Sequence, residues 1–175
     1  MTTQIQHAPS RDYPIIEQKD FRKVLGHYPT GVCIVTTRVD GNPLGLTIGS
    51  FTSVSLDPPL VGFLPARSSK TWPLIQRAGT FCVNVLADDQ EGLSRRFATS
   101  VPERFSDVTH STSGLGLPVL DGALAWIDCE LHSVQDAGDH VFVLGRVMAM
   151  EAVRDSRPLL FFQGGFGRFV SCEAA

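Results

Sequence analysis

The sequence predicts a mainly β fold, a β-barrel with flanking helices, on three observations. Short strand-like runs follow one another through most of the chain, only two or three helical patterns interrupt them, and strands and helices do not alternate as a parallel α/β sheet requires. The 175 residues, 43% hydrophobic and 19% charged, suit one globular domain with a sizeable core. No internal repeat, linker or composition break divides them.

The opening residues, MTTQIQHAPSRDYPII, lack a basic stretch leading into an apolar one, so no signal peptide is expected. Residues 1–17 read as a flexible arm and 18–172 as one domain. In EQKDFRKVLGHY the residues Phe21, Val24, Leu25 and Tyr28 fall at i, i+3, i+4 and i+7, the apolar face of a helix that Pro29 ends, with Asp12 or Asp20 as capping candidates. The period then changes to two. Gly31 to Thr37 reads as a strand, Asp40-Gly41-Asn42-Pro43 as a turn, and LGLTI, FTSVS and LVGFL as further strands interrupted by Asp57-Pro58-Pro59. KTWPLIQRAG predicts a helix with Ser69 as N-cap and Gly79 as its stop. Thr80 to Leu86 is another strand, and DDQEGLSRRFA a helix carrying Leu93 and Phe97 on one face.

Residues 99–122, rich in Ser, Gly, Pro and Asp, read as a long surface loop. In LAWIDCELHSV, apolar Ala125, Ile127, Cys129 and Leu131 alternate with Asp128, Glu130 and His132, predicting a half-buried strand. HVFVLGRVMAMEAV is apolar on both faces apart from Arg146, as a central strand would be, and Asp136-Ala137-Gly138-Asp139 joins the two as a hairpin turn. PLLFF is a last short strand.

Several function classes are excluded or disfavoured. Net charge is -3, and the only basic clusters are Arg95-Arg96 and the Arg67/Lys70 pair, too small for a nucleic-acid surface. No apolar run approaches the roughly 18 residues of a membrane span, so a cytoplasmic protein is expected. Cys33, Cys82, Cys129 and Cys172 form no CxxC pair, and the first three sit in apolar strands, where buried thiols are the simplest reading. There is no GxGxxG after a strand, no GxxxxGK[ST] and no HExxH. Gly45-Leu46-Thr47-Ile48-Gly49 imitates a nucleophile elbow but lies between strands. No metal site is expected.

Three stretches could carry chemistry. LTIGSFTSVSLDPPL places Thr47, Ser50, Thr52, Ser53 and Ser55 along consecutive strands without a charge before Asp57. These residues form either a solvated sheet face or the bed of a planar, multiply hydrogen-bonded ligand. Ala66 to Thr71 enters a helix with hydroxyls, free amides and the cations Arg67 and Lys70, either a simple cap or a phosphate cradle. His140, after Gly138-Asp139, is either a solvated turn residue or a group that orients a ligand lying above it.

Taken in order, FRKVLGHYPTGVCIVTT, LTIGSFTSVSLDPPLVGF, SSKTWPLI, FCVNVL, RRFA, ERF, AGDH and PLLFFQGG resemble the short-chain flavin reductases, the reductase components of two-component flavin monooxygenases, over residues 18–170. The resemblance implies a homodimer of six-stranded antiparallel Greek-key split barrels that binds FMN or FAD near the dimer interface. It places Thr47, Gly49, Ser50, Phe51, Thr52 and Ser53 along the flavin ring, with Ser55 and Leu56 nearby, and Ser69, Lys70 and Thr71 at the phosphate. His140 falls where a nicotinamide would approach, and Phe162 near the same pocket. Gly49 departs from relatives that often carry an amide side chain there. The implied activity is an NAD(P)H:flavin oxidoreductase, NADH preferred and NADPH possible, that supplies reduced flavin to a partner monooxygenase. Hydride transfer needs positioning more than an acid, base or nucleophile, so the missing triad or metal cluster is expected. The alternatives are a non-catalytic flavin-binding electron carrier on the same barrel and an oxidase of the pyridoxamine-phosphate type, which the SSKT and AGDH spacings fit poorly.

Overall fold

A computed structural model describes residues 14–99 and 103–172. The expected arm therefore lies largely outside the described residues. In chain order the elements are α1 (Gln18–Leu25), β1 (Thr30–Gly31), β2 (Cys33–Val39), β3 (Asn42–Ile48), β4 (Thr52–Leu56), β5 (Pro59–Phe63), α2 (Trp72–Ala78), β6 (Thr80–Val85), α3 (Glu91–Ala98), β7 (His110–Thr112), β8 (Pro118–Leu120), β9 (Ala125–Ala137), β10 (His140–Ala152), β11 (Leu159–Phe162) and β12 (Gly165–Arg168). The chain is mainly β with flanking helices, as the alternation of short strands predicts.

The main sheet is antiparallel throughout, with strand order β3-β2-β6-β9-β10-β5-β4. It has seven strands where six were expected, and no ladder among the described residues joins its edges β3 and β4 to close a barrel. These two strands are consecutive in sequence, but Gly49-Ser50-Phe51 carries the chain from one sheet edge to the other. The Ser50 hydroxyl stitches that crossing by accepting the Leu64 N–H at 2.9 Å, just past β5. The sheet nevertheless curls enough for Leu46 and Ile48 of β3 to share one core cluster with Val61 and Phe63 of β5.

Phe63 is the pivot of that core, meeting the rings of Phe81 and Trp72 edge-on at 5.3 and 5.9 Å. Burying each such ring contributes about 1.5–3 kcal/mol. Gly145 lets β10 approach them, because a Cβ there would fall 2.4 Å from the Phe81 ring. Helix α2 closes the cluster with Trp72 and Ile75 and stops at Gly79, whose φ of 73° is the left-handed turn a glycine takes without strain. On the opposite face of β2, Phe97 of α3 packs with Ile34, Leu86, Leu120 and Leu159.

Two expectations are corrected. Residues 99–122 are not simply a surface loop: β7 and β8 form a hairpin, and Leu117, Val119 and Leu120 are buried. That hairpin lies over the outer side of β6 and β9. Pro118 accepts a hydrogen bond from the Thr36 hydroxyl, and Asn84 accepts one from Leu120 N–H at 2.8 Å. Strand β9 is half-buried as expected, with Glu130 and His132 exposed, but Asp128, the first polar position of its alternation, lies under the hairpin and is fully buried opposite Cys82. Burial pushes the Cys33 and Cys129 thiols up to about 12, and raises the Cys82 thiol further with Asp128 beside it. All three are inert at neutral pH, in keeping with buried structural thiols.

Helix α1 is shorter than its apolar pattern and begins at Gln18 without a side-chain cap, so Asp20 lies within its first turn and does not cap it. Its expected apolar face is uncovered, with Tyr28 73% exposed. The second half of β10 pairs only with β9, leaving Met150 70% exposed.

Candidate functional site

The cleft that gathers most of the predicted residues has a volume of about 560 Å³ and lies against the edge strand β3. An edge strand turns unpaired N–H and C=O groups outward, and the stretch from Leu46 to Ser50 forms one wall. The opposite wall is the connection from Leu64 to Thr71, and Phe97 to Thr99 at the end of α3 close one side. His140, the first residue of β10, stands at the mouth.

Thr47, Gly49, Ser50, Ser69, Lys70, Thr71 and His140 all border this cleft. Phe51, Thr52, Ser53, Ser55, Leu56 and Phe162 do not. Thr52 to Leu56 run along β4 at the far edge of the sheet, where Leu56 is 96% exposed. Phe162 ends β11 beside α1, its ring edge-on to His27 at 6.4 Å.

Several expected ligand groups are already engaged. The Thr47 hydroxyl donates to the Ser94 carbonyl at 2.7 Å, and Ser50 is tied to Leu64. Ser69 accepts the N–H groups of Thr71 and Trp72 at 3.3 and 3.1 Å, doing the work of a cap although the helix proper starts at Trp72. Those amides are thus not free for an anion, which corrects the cradle as first read. Gly49 leaves room for a neighbour: a Cβ there would sit 3.2 Å from the Thr30 hydroxyl.

Arg67 is also reassigned. Its Nε donates to the Gly138 carbonyl at 2.9 Å, it pairs with Asp136, and its N–H bonds the Asp139 carbonyl. It clamps the hairpin turn against the Ala66 segment and so holds the start of β10 in place, outside the cleft. His140 Nδ1 lies 2.7 Å from the Asp139 carboxylate, and this hydrogen bond holds Asp139 below the usual carboxylate range. Asp139 is therefore ionised at neutral pH and remains an acceptor for the imidazole.

Arg104 is the residue that the sequence reading leaves without a role. It lies in the ERF segment and enters the cleft from below, donating through Nη1 to the Gly45 carbonyl at 2.8 Å and to the Thr71 hydroxyl at 2.9 Å. Its Nε is buried without a partner, and among the described residues no carboxylate pairs with it. Desolvation lowers its pKa from the ordinary value. A half-buried guanidinium without a counter-ion, beside Lys70 and in a cleft lined by no carboxylate among the described residues, is built to receive an anion. Sequence alone offers no burial signal for an arginine in a polar loop, which is why it is not singled out there.

Among the described residues no group of His, Cys, Asp and Glu could hold a metal ion. The cleft instead has an uncharged strand wall at one end and a cationic floor at the other, which fits a planar head with an anionic tail.

The comparisons with known proteins agree with that shape. The model of the flavin reductase like domain matches residues 25–169. The chain is 53% identical over 157 residues to a flavin reductase of Pseudomonas putida, across 89% of this chain and 92% of that one. It is 47% identical over 151 residues to the reductase subunit HsaB of a flavin-dependent monooxygenase from Rhodococcus jostii, across 86% and 77%. Among solved structures, the Streptomyces globisporus NADH:FAD oxidoreductase SgcE6, in complex with NAD and FAD fragments, superposes with a TM-score of 0.85 at 34% identity, across 93% of this chain and 100% of that one. The fold, the cleft and these likenesses together place the chain in the flavin reductase-like family.

Proposed function

We propose that this protein is an NAD(P)H:flavin oxidoreductase that uses NADH to reduce FMN or FAD and hands the reduced flavin to a flavin-dependent monooxygenase. The observation that carries the reading is Arg104, half-buried and without a counter-ion beside Lys70 and Thr71, at one end of a cleft whose other end holds His140. When bound, the flavin would supply the redox chemistry as acceptor for the nicotinamide's hydride. The protein supplies position. Lys70, Arg104 and the hydroxyls of Ser69 and Thr71 bind the phosphate, the Leu46–Ser50 backbone lies along the ring, and His140 at the mouth orients the nicotinamide. Outward N–H groups of the edge strand would favour the negative charge that develops on the ring.

Purified protein is expected to oxidise NADH only when FMN or FAD is added, with two electrons passing from each NADH to flavin and then to oxygen as hydrogen peroxide. Absence of flavin-stimulated turnover with both NADH and NADPH would overturn the enzyme reading, and a single stoichiometric reduction would mark an electron carrier.

We assign the predicted residues outside the cleft to a homodimer. Exposed apolar side chains at Phe21 and Val24 of α1, Tyr28 just after it, Leu56 of β4, and Met148 and Met150 of β10 are the kind of surface that a second copy covers. In that assembly β4 and Phe162 of one subunit would approach the cleft of the other. Light scattering should then give about twice the 19.0 kDa chain mass; a monomer that still turns over would refute this assignment. No helix among the described residues is long and apolar enough to cross a membrane, and we place the reaction in the cytoplasm, where NADH is available.

A further inference from the structure

The connection between β9 and β10 is only Gly138-Asp139, and Ala137 pairs with His140 across it. Gly138 takes a φ of 67° while Asp139 is not among the residues at positive φ, the sign pattern of a II′ turn with glycine at its first central position. Such a turn has one soft coordinate, the orientation of its central peptide. Turning the Gly138–Asp139 peptide over leads towards the I′ form, in which Asp139 also needs positive φ, and swings the Asp139 side chain with it. Asp139 is the residue whose carboxylate lies 2.7 Å from His140 Nδ1.

One side chain holds that peptide from outside the hairpin. Arg67 Nε donates to the Gly138 carbonyl, the oxygen of the central peptide, at 2.9 Å, and the guanidinium also reaches Asp136 on β9. Beside it, Ala66 pairs with His140 in an isolated bridge. Arg67 belongs to the Leu64–Thr71 connection that walls the cleft opposite β3, yet it does not line the cleft itself. The wall and the mouth of the cleft are thus fastened together by a residue that stands outside both.

We propose that Arg67 is a positioning residue for hydride transfer: by fixing the central peptide of the turn it holds Asp139, and through Asp139 the His140 imidazole, at a set distance from the cleft wall. This role rests on the flavin reductase reading above and on the place of His140 in it. The two side-chain contacts of Arg67 are unequal. Asp136 is 87% exposed, so solvent screens that ion pair. The bond to Gly138 bears on the one peptide of the turn that the strand ladder does not reach.

Stopped-flow reduction of bound flavin by NADH reads the effect. Arg67→Ala should lower the rate at saturating NADH about tenfold, a part of the roughly 10²-fold that a misplacement of about 1 Å costs, with flavin affinity unchanged. Asp136→Ala should slow it by less than about twofold. Arg67→Lys, which keeps the cation but lacks the Nε donor, should fall between Arg67→Ala and the parent. The double variant of Arg67→Ala with His140→Ala should be no slower than His140→Ala alone, because a residue that acts through His140 has nothing to position once the imidazole is gone. Effects that multiply in the double variant would overturn the proposal. So would an Arg67→Ala enzyme that matches the parent rate, or one that loses flavin affinity in step with its rate. An Asp136→Ala loss as large as that of Arg67→Ala would overturn the assignment to the Gly138 bond. A parent protein without flavin-dependent NADH oxidation would bring down the functional reading and this role together, whereas normal parent turnover with multiplying effects removes the role of Arg67 alone.

Discussion

His140→Ala is expected to slow hydride transfer from NADH to bound flavin on the order of 10²-fold, the scale on which a misplacement of about 1 Å acts in a positioned reaction. Two features of the structure lead there. The imidazole sits at the first position of β10, and that position is fixed by backbone bonds: Val141 N–H to the Pro65 carbonyl at 3.1 Å, and Arg67 N–H to the Asp139 carbonyl at 2.9 Å. The side chain itself is 41% exposed at the cleft mouth, held only by the Asp139 carboxylate. A ring so placed is supported enough to have a direction and open enough to touch a second ligand. Stopped-flow reduction at saturating and limiting NADH separates a slower step from weaker NADH binding. His140→Asn should recover part of the loss if a hydrogen bond is the contribution, and little if ring stacking is. Asp139→Ala should cost less than His140→Ala, since Asp139 is fully exposed and solvent screens the pair. A His140→Ala enzyme equal to the parent in rate and NADH affinity would make His140 a solvated turn residue.

What the sequence makes legible follows from how local each cause is. The turn at Asp40-Gly41 needs positive φ at both residues, and the pair takes 51° and 79°, so its position could be read from two letters. Strand periods are equally local, and Ile127, Cys129 and Leu131 do face the main core. The β7–β8 hairpin escapes such reading because its burial is a tertiary matter. Pro118-Val119-Leu120 is too short to announce a strand, and becomes one by packing over Thr36, Cys82 and Asn84. Sheet order escapes for the same reason: nothing in Gly49-Ser50-Phe51 says that the chain leaves one edge for the other. At the site, hydroxyls are visible as letters but their partners are not. Ser50, Ser69 and Thr47 each read as a free donor, and each turns out to hold a neighbouring backbone group. Arg67 and Arg104 make the same point in opposite directions, one a candidate anion ligand that fastens a turn, the other a residue not singled out in the sequence that lies half-buried in the cleft.

Arg104→Ala is expected to weaken FMN binding about tenfold to a hundredfold, the equivalent of one charged hydrogen bond of about 1.5–3 kcal/mol, and to change riboflavin binding by less than about threefold. The reasoning turns on where the guanidinium is. An exposed arginine would gain little from a phosphate, because water solvates it nearly as well. Arg104 has lost part of that water and has gained only two neutral acceptors, the Gly45 carbonyl and the Thr71 hydroxyl, while its Nε remains without any partner. A phosphate therefore restores hydrogen bonding that the folded protein alone does not supply, and the gain appears in affinity. The two retained bonds also hold β3 to the entrance of α2, so part of any loss could come from a loosened cleft. Riboflavin measures that part, since it offers the same ring without the phosphate. Arg104→Lys gives the second control: it keeps the charge but not the fork that reaches Gly45 and Thr71 together, and should fall between the parent and Arg104→Ala for FMN. Lys70→Ala with Thr71→Ala should show the same preference for harming FMN, because those residues border the same end of the cleft. Equal losses for FMN and riboflavin in Arg104→Ala would mean that the arginine is a structural strut and that the phosphate binds elsewhere.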